Sequence, residues 1–290
     1  MAQRSQGIRK ESDYMATVNS VIPDIIQRVV GRSRITSEIL FITGKVANGS
    51  LTTDAQEEVK TDAEGSTLAR WMNAKTAEFA GDETFWNLDL YAQQLNGEGK
   101  TIGTSGNGVI VPISDPIKTY AESDTLTTYV MKYSAADVSS TATPAYKISV
   151  CTLNRDGSVN KRFRQGDSAS SGIFTYTANT HTLTFADGDI AVGDKLFVEY
   201  DFNSEDCVAV IDSADKFPED IEIVVEGLFK DACGNAQAGY TVFPKAQLSA
   251  STTASFGRTD TFPFSFSAQQ DYCDDEKQLF RQVFPNLPTV

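Results

Sequence analysis

Apolar and polar residues alternate with a period of two through much of this chain. Phe262, Phe264, Phe266 and Ala268 take every second position, with Ser265 and Ser267 between them and Pro263 near the start. A period of two puts one set of side chains on a buried face and the other in water, so the segment predicts a strand with one wet side. Leu196, Val198 and Tyr200 alternate in the same way within "KLFVEYDF". Strands are also predicted for Ile39 to Val46, "WMNAKTAEFAGDE", "TLTTYVMKYS", "AYKISVCTLN", "GIFTYTAN", "HTLTFADG", "FPEDIEIVVEGLFKD" and "AGYTVFPKAQLSAS". Asn48-Gly49, Asp156-Gly157 and Asp187-Gly188 are read as turns. The last two strands are joined by "SASTTASFGRTD", too short for a parallel crossover, which predicts antiparallel pairing.

Two segments break this pattern. Val21, Ile22, Ile25, Ile26, Val29 and Val30 fall at helical spacing, with Ser20 as an N-cap and Gly31 at the end. They predict a short amphipathic helix within an N-terminal arm, residues 1–34, where Arg4, Arg9, Lys10, Arg28, Arg32 and Arg34 outnumber the acids. "ETFWNLDLYAQQLNG" predicts a second helix over about 84–96. Phe85, Trp86, Leu88, Leu90 and Leu95 supply its apolar side, and Gly97 closes it. Between them "TTDAQEEVKTDAEGST" is acidic and without period, which predicts a long exposed loop. The resulting fold class is mainly β, with antiparallel strands, one α-helix and a long N-terminal arm. Phe262, Phe264, Phe266, Trp86, Leu90 and Val198 are its expected core, with the phenylalanines packed on an opposite sheet and on the helix around Trp86.

Charge narrows the function. The chain has 290 residues and a formal net charge of -14. A free-standing nucleic-acid binder gains affinity by releasing counterions to basic residues, so this balance argues against one. The apolar runs are too short to span a membrane, and "MAQRSQGIRKESDYM" has no secretion-signal core, so synthesis in a cytoplasm is expected. Cys151, Cys207, Cys233 and Cys273 are scattered and are read as reduced thiols. The single histidine, His181, has no nucleophile elbow to serve and cannot build a zinc site. Gln94 stands where a phosphate loop ending in "GEGKT" needs glycine, and "NRDGSVN" lacks the glycine and glutamate of a calcium loop. The sequon at Asn48 carries no weight without secretion, and Glu219-Asp220 and Asp274-Asp275 read as solvated charge. No enzyme, cofactor or metal is expected.

The order of pieces is more informative than any residue. "LFITGKV" runs into "NGSLTTDAQEEVKTDAEGS"; "AKTAEFAGD" and "FWNLDLYAQQLNG" follow. After the β region come "KLFVEYDF", "FPEDIEIVVEGLFKDACGNAQAGYTVFPKAQLSAS" and "TFPFSFSAQQDYCDDEKQLFRQVF". Over roughly residues 35–110 and 195–290 this resembles the major tail (tail tube) proteins of tailed bacteriophages. The resemblance implies a β-sandwich or half-barrel of antiparallel strands with one flanking α-helix, built from residues 35–114 and 196–290, with 115–195 as an additional β-rich insertion or elaboration in the middle. It also implies a structural subunit of the virion tail, made in the host bacterial cytoplasm. Copies of it are then expected to join into six-membered rings that stack into a conduit for DNA, which passes without specific binding. Its implied partners are itself, the tape measure and the tail terminator. An arm and a long loop then bridge subunits or rings, which assigns Val21, Ile25, Ile26, Arg28, Val29 and Arg32 and the acidic Asp54, Glu57, Glu58 and Asp62 to inter-subunit contacts. The alternative is a virion-surface β-module that binds a receptor or carbohydrate.

Overall fold

The computed structural model describes residues 21–44, 46–137, 145–231, 234, 236–255, 257, 260–272 and 277–285. Strands β1 (Val21–Ser33), β2 (Ile39–Gly44), β3 (Val46–Thr61) and β4 (Thr67–Glu83) precede helix α1 (Leu88–Asn96). Short strands β5 (Thr101–Ile102), β6 (Val109–Ser114), β7 (Lys118–Thr119) and β8 (Thr128–Val130) follow. Then come β9 (Ile148–Leu153), β10 (Val159–Gln165), β11 (Ile173–Thr177), β12 (Thr182–Thr184), β13 (Lys195–Ser204) and β14 (Val208–Ala209). The chain ends in β15 (Asp220–Asp231), β16 (Ala236–Leu248), β17 (Phe262–Ala268) and β18 (Arg281–Val283). The protein is mainly β, with one α-helix among the described residues.

The chain divides into two compact units. The first comprises the described residues up to Lys100 and from Val210 onward; the second is Thr101–Ala209. In the first, the strand order is β2-β1-β15-β16-β17-β4-β3, and β18 pairs beside β17 on β16. This sheet curls into a half-barrel. Its inner face buries Val29, Phe41, Phe79, Ile221, Ile223, Phe243, Phe264 and Phe266. Phe266 stacks on Phe79 at 5.1 Å and meets Phe243 edge-on at 4.9 Å, while Phe262 stacks on Trp86 at 5.2 Å. The alternating phenylalanines therefore pack on neighbours within one curled sheet and on the turn before α1, and no opposing sheet is involved. β16 and β17 are antiparallel, as the short connection predicts.

Four expectations are corrected here. Val21–Ser33 is a strand, paired along its length with β15, although its spacing fitted a helix. β-branched residues favour the pleated surface, and a short apolar run has no decisive period. The acidic stretch is no loop: it continues β3 to Thr61 and turns at Asp62–Ser66 into β4. Asn48-Gly49 is no turn but a bulge inside β3, where the register shifts between Ala47 and Ser50 and Asn48 has φ 52°. Gly49 lies where a Cβ would collide with Ile26 Cδ1 of β1, so glycine lets the two sides of the half-barrel approach. α1 is shorter than the predicted 84–96. Asn87 caps it by accepting from the amides of Asp89 and Leu90, and Gly97 ends it at φ 69°.

The second unit has its own core around Met131, Val150, Phe163, Phe174, Leu183, Leu196, Val198 and Tyr200. Its strand order is β6-β13-β9-β10-β11-β12-β8, with β7 also on β13. β6 and all of β13 after Lys195 were expected in the tube core; their ladder bonds place them in this sheet, so the unit begins and ends near 101 and 209, not 115 and 195. Val198 accordingly packs in this second core. Buried Asp115 accepts from the hydroxyls of Tyr129 and Tyr200 and the amide of Lys132. Burial, helped by that carboxylate, pushes the Tyr200 phenol up to about 12. At the unit's start and finish, Ile102 pairs with Val208 and Thr101 with Ala209.

Candidate assembly surface

The first unit extends a two-stranded ribbon away from its core. β4 alternates buried and exposed only from Ala77 onward, where β17 covers it. Beyond that level Asp54–Thr61 and Thr67–Thr76 pair, among the described residues, only with each other, and every residue there is exposed except the half-buried Ala55 and Ala69. At about 3.4 Å per residue the ribbon reaches roughly 30 Å. Asp62 Oδ1 fixes its tip by accepting from the amides of Glu64 and Ser66. Glu57 pairs with Arg70 at 2.8 Å, on the face that also carries Val59 and Met72. Glu58 lies opposite Trp71 on the other face. Val59, Leu68, Trp71 and Met72 are 43%, 62%, 48% and 64% exposed. A bare two-stranded ribbon is marginal in water, and this one presents apolar side chains on both faces.

The sheet also has incomplete borders. β2 covers β1 only over Arg28–Arg32, so among the described residues nothing pairs with the outer side of Val21–Gln27. Ile25 is exposed there, and Ile26 leans into a cleft of about 580 Å³ with Val46, Leu51, Phe79 and Phe229. β3 is the border strand at the other end. The outer side of β2 is blunted: Asn87 Nδ2 donates to the Ile42 carbonyl at 2.8 Å. Unpaired borders invite another chain, and a capped carbonyl withdraws part of one.

The sequence-derived contact residues separate accordingly. Asp54, Glu57, Glu58 and Asp62 all lie on the ribbon, and Val21, Ile25 and Ile26 line the open part of β1. Arg28 and Arg32 are paired within the sheet, to Glu226 and Glu222. Val29 is fully buried in the core and is removed from the contact set. Arg4, Arg9, Lys10, Cys233 and Cys273 lie outside the described residues; Cys151 and Cys207 are free thiols. Sequence reasoning missed Trp71 and Met72, whose exposure gives no signal until the strand is known to leave the core.

Glu83, at the end of β4 away from the ribbon and just before α1, was also missed. It is 4% exposed, with Asn87 Nδ2 donating to Oε1 at 3.4 Å. Burial pushes its carboxyl up to about 7, against the smaller opposing effects of Asn87 and Thr43. Among the described residues no group of three or more His, Cys, Asp or Glu is arranged to hold a metal, and no helix is long and apolar enough to cross a membrane.

A family model described as the YomU/Tube protein family matches residues 29–281, from within β1 to the start of β18. No curated protein matches the chain.

Proposed function

We propose, on the premise that the chain belongs to the YomU/Tube protein family, a phage tail tube family, that copies of it close into rings and stack into a tube. Membership itself implies a structural, non-enzymatic component of the virion tail. The rings and the passage for DNA are the further step. The observation that carries it is the ribbon of Asp54–Thr76, with exposed Trp71 and Met72 and no cover among the described residues. A second copy is the partner that such a ribbon and the open side of β1 fit best. A half-barrel with unfinished borders completes its hydrogen bonding by accepting strands from neighbours, and a closed ring leaves none exposed. The acidic balance of -14 suits a passage along which DNA phosphates slide without adhering. Tape-measure and terminator proteins are the further partners of such a tube.

Electron microscopy with light scattering tests this. The wild-type chain is expected to give rings or tubes at high concentration. The Trp71→Glu, Met72→Glu double variant is expected to fold with unchanged far-ultraviolet dichroism and to give no tubes. A wild-type chain that stays monomeric and is dispensable for particle assembly refutes the proposal, and tubes of normal length from the double variant refute the ribbon's role.

A further inference from the structure

Asparagine is followed by glycine at Asn48-Gly49, Asn96-Gly97 and Asn107-Gly108. This dipeptide is chemically labile. With no Cβ to shield it, the glycine amide nitrogen can attack the side-chain carbonyl carbon of the asparagine before it. Folding decides which step reacts, because hydrogen bonds that hold either group must first break.

Asn96 is held firmly. Its Nδ2 donates to the Ile211 carbonyl at 2.6 Å, and its Oδ1 accepts from the Glu98 amide at 2.8 Å. The Gly97 amide donates to the Gln93 carbonyl at 3.3 Å, and Asn96 is buried. Asn48 Nδ2 donates to Asp82 Oδ2 at 2.9 Å, with Gly49 wedged against Ile26. Asn107 differs. It closes a tight turn with Thr104, accepting from the Thr104 amide at 3.1 Å and donating to the Thr104 carbonyl at 2.8 Å. Those bonds engage its backbone alone. The residue is exposed, and among the described residues neither its side chain nor the Gly108 amide is hydrogen-bonded. The glycine is fixed by packing, since a Cβ on it would lie 2.9 Å from the Ser204 carbonyl oxygen.

We propose that Asn107 is the site at which the folded chain deamidates. The Gly108 nitrogen gives its proton to solvent and bonds to Asn107 Cγ. The Cγ–Nδ2 bond breaks, ammonia leaves, and a five-membered imide remains. Water, the only co-reactant, opens either carbonyl of that ring to give aspartate or isoaspartate. The product adds a negative charge to a turn where Glu205 Oε1 already accepts from the Gly106 amide at 3.0 Å. Isoaspartate also lengthens the backbone inside the Thr104–Asn107 pair. The inference does not depend on whether the chain forms tubes.

The test incubates the full chain at mildly alkaline pH, folded and in urea, followed by peptide mapping with mass spectrometry. In urea the three steps are expected to convert at similar rates. In the folded chain Asn107 is expected to convert at least about tenfold faster than Asn48 or Asn96, the equivalent of one to two hydrogen bonds. Its peptide should take the mass of the acid and split into aspartyl and isoaspartyl forms, the second a substrate for isoaspartyl methyltransferase. Asn107→Gln, which must close a larger ring, is expected to remove that methylation with unchanged far-ultraviolet dichroism. Folded-state conversion of Asn107 no faster than that of Asn96 or Asn48, or undiminished methylation of Asn107→Gln, overturns the assignment.

Discussion

Replacing Glu83 by glutamine is expected to stabilise the first unit at neutral pH and to remove a pH dependence there. The carboxyl is raised from 4.5 to about 7 by burial. At about 1.36 kcal/mol per pH unit, that displacement of roughly 2.5 pH units is worth about 3 kcal/mol. The folded chain binds this proton more tightly than the unfolded chain. Stability from this group is therefore complete below about 4.5, declines between 4.5 and about 7, and is flat above. Neighbouring charges do not reverse the sign: Asp82 is bonded by Asn48 and Asp89 is paired with Lys100 at 3.0 Å. Glutamine keeps an acceptor for Asn87, supplies a donor toward Thr43 and never ionises. Both tryptophans, Trp71 and Trp86, belong to the first unit, so urea unfolding followed by tryptophan fluorescence reports that unit alone. At pH 8 the variant is expected to exceed wild type by about 2–3 kcal/mol, and at pH 4.5 the two should coincide. An equal difference at both pH values would show that Glu83 is ionised in the folded chain, and the burial reasoning would fail.

Phe266→Ala removes a fully buried ring stacked between Phe79 and Phe243 and is expected to cost about 3–5 kcal/mol in the same assay. Gly97→Ala forces a Cβ to within 2.9 Å of the Phe217 carbonyl at φ 69°, with an expected loss of about 1–3 kcal/mol. Asp189→Ala strips the buried partner of Lys161 and of the Gly172 amide; about 3 kcal/mol should be lost from a tyrosine- or dichroism-detected transition of the second unit, with tryptophan unfolding unchanged. Burial pushes the Asp189 carboxyl up, but Lys161, Gly172 and Ser171 outweigh it and hold it below the usual range. Its contribution is therefore present above the ordinary carboxylate pKa of about 3.8 and vanishes in stronger acid, which an acid titration of the wild-type second unit checks.

Strand periodicity was legible wherever one face of a strand is buried and the other wet. Phe262–Ala268 and Leu196–Tyr200 read true because one side of each faces a hydrophobic core. The ribbon did not, because water lies on both of its sides and no alternation is imposed on "TTDAQEEVKT". β1 misled for a different reason. Val21 and Ile22, then Ile25 and Ile26, satisfy a helical stripe, yet bulges between Pro23 and Ile25 and between Ile26 and Arg28 break the two-residue period that a regular strand would show. The limits of the second unit were hidden in pairing partners: nothing local tells β6 that its neighbour is β13. Glu83 was invisible as a buried acid because only the fold brings Thr43 and Asn87 around it.

The pairing of Ile102 with Val208 ties the two ends of a 101–209 excursion to within about 5 Å of each other. A segment that leaves and returns at one point can be traded for another without re-threading its host. Excising it and bridging the gap with a few glycines should leave the curled sheet intact, and foreign domains whose termini meet should graft at the same seam.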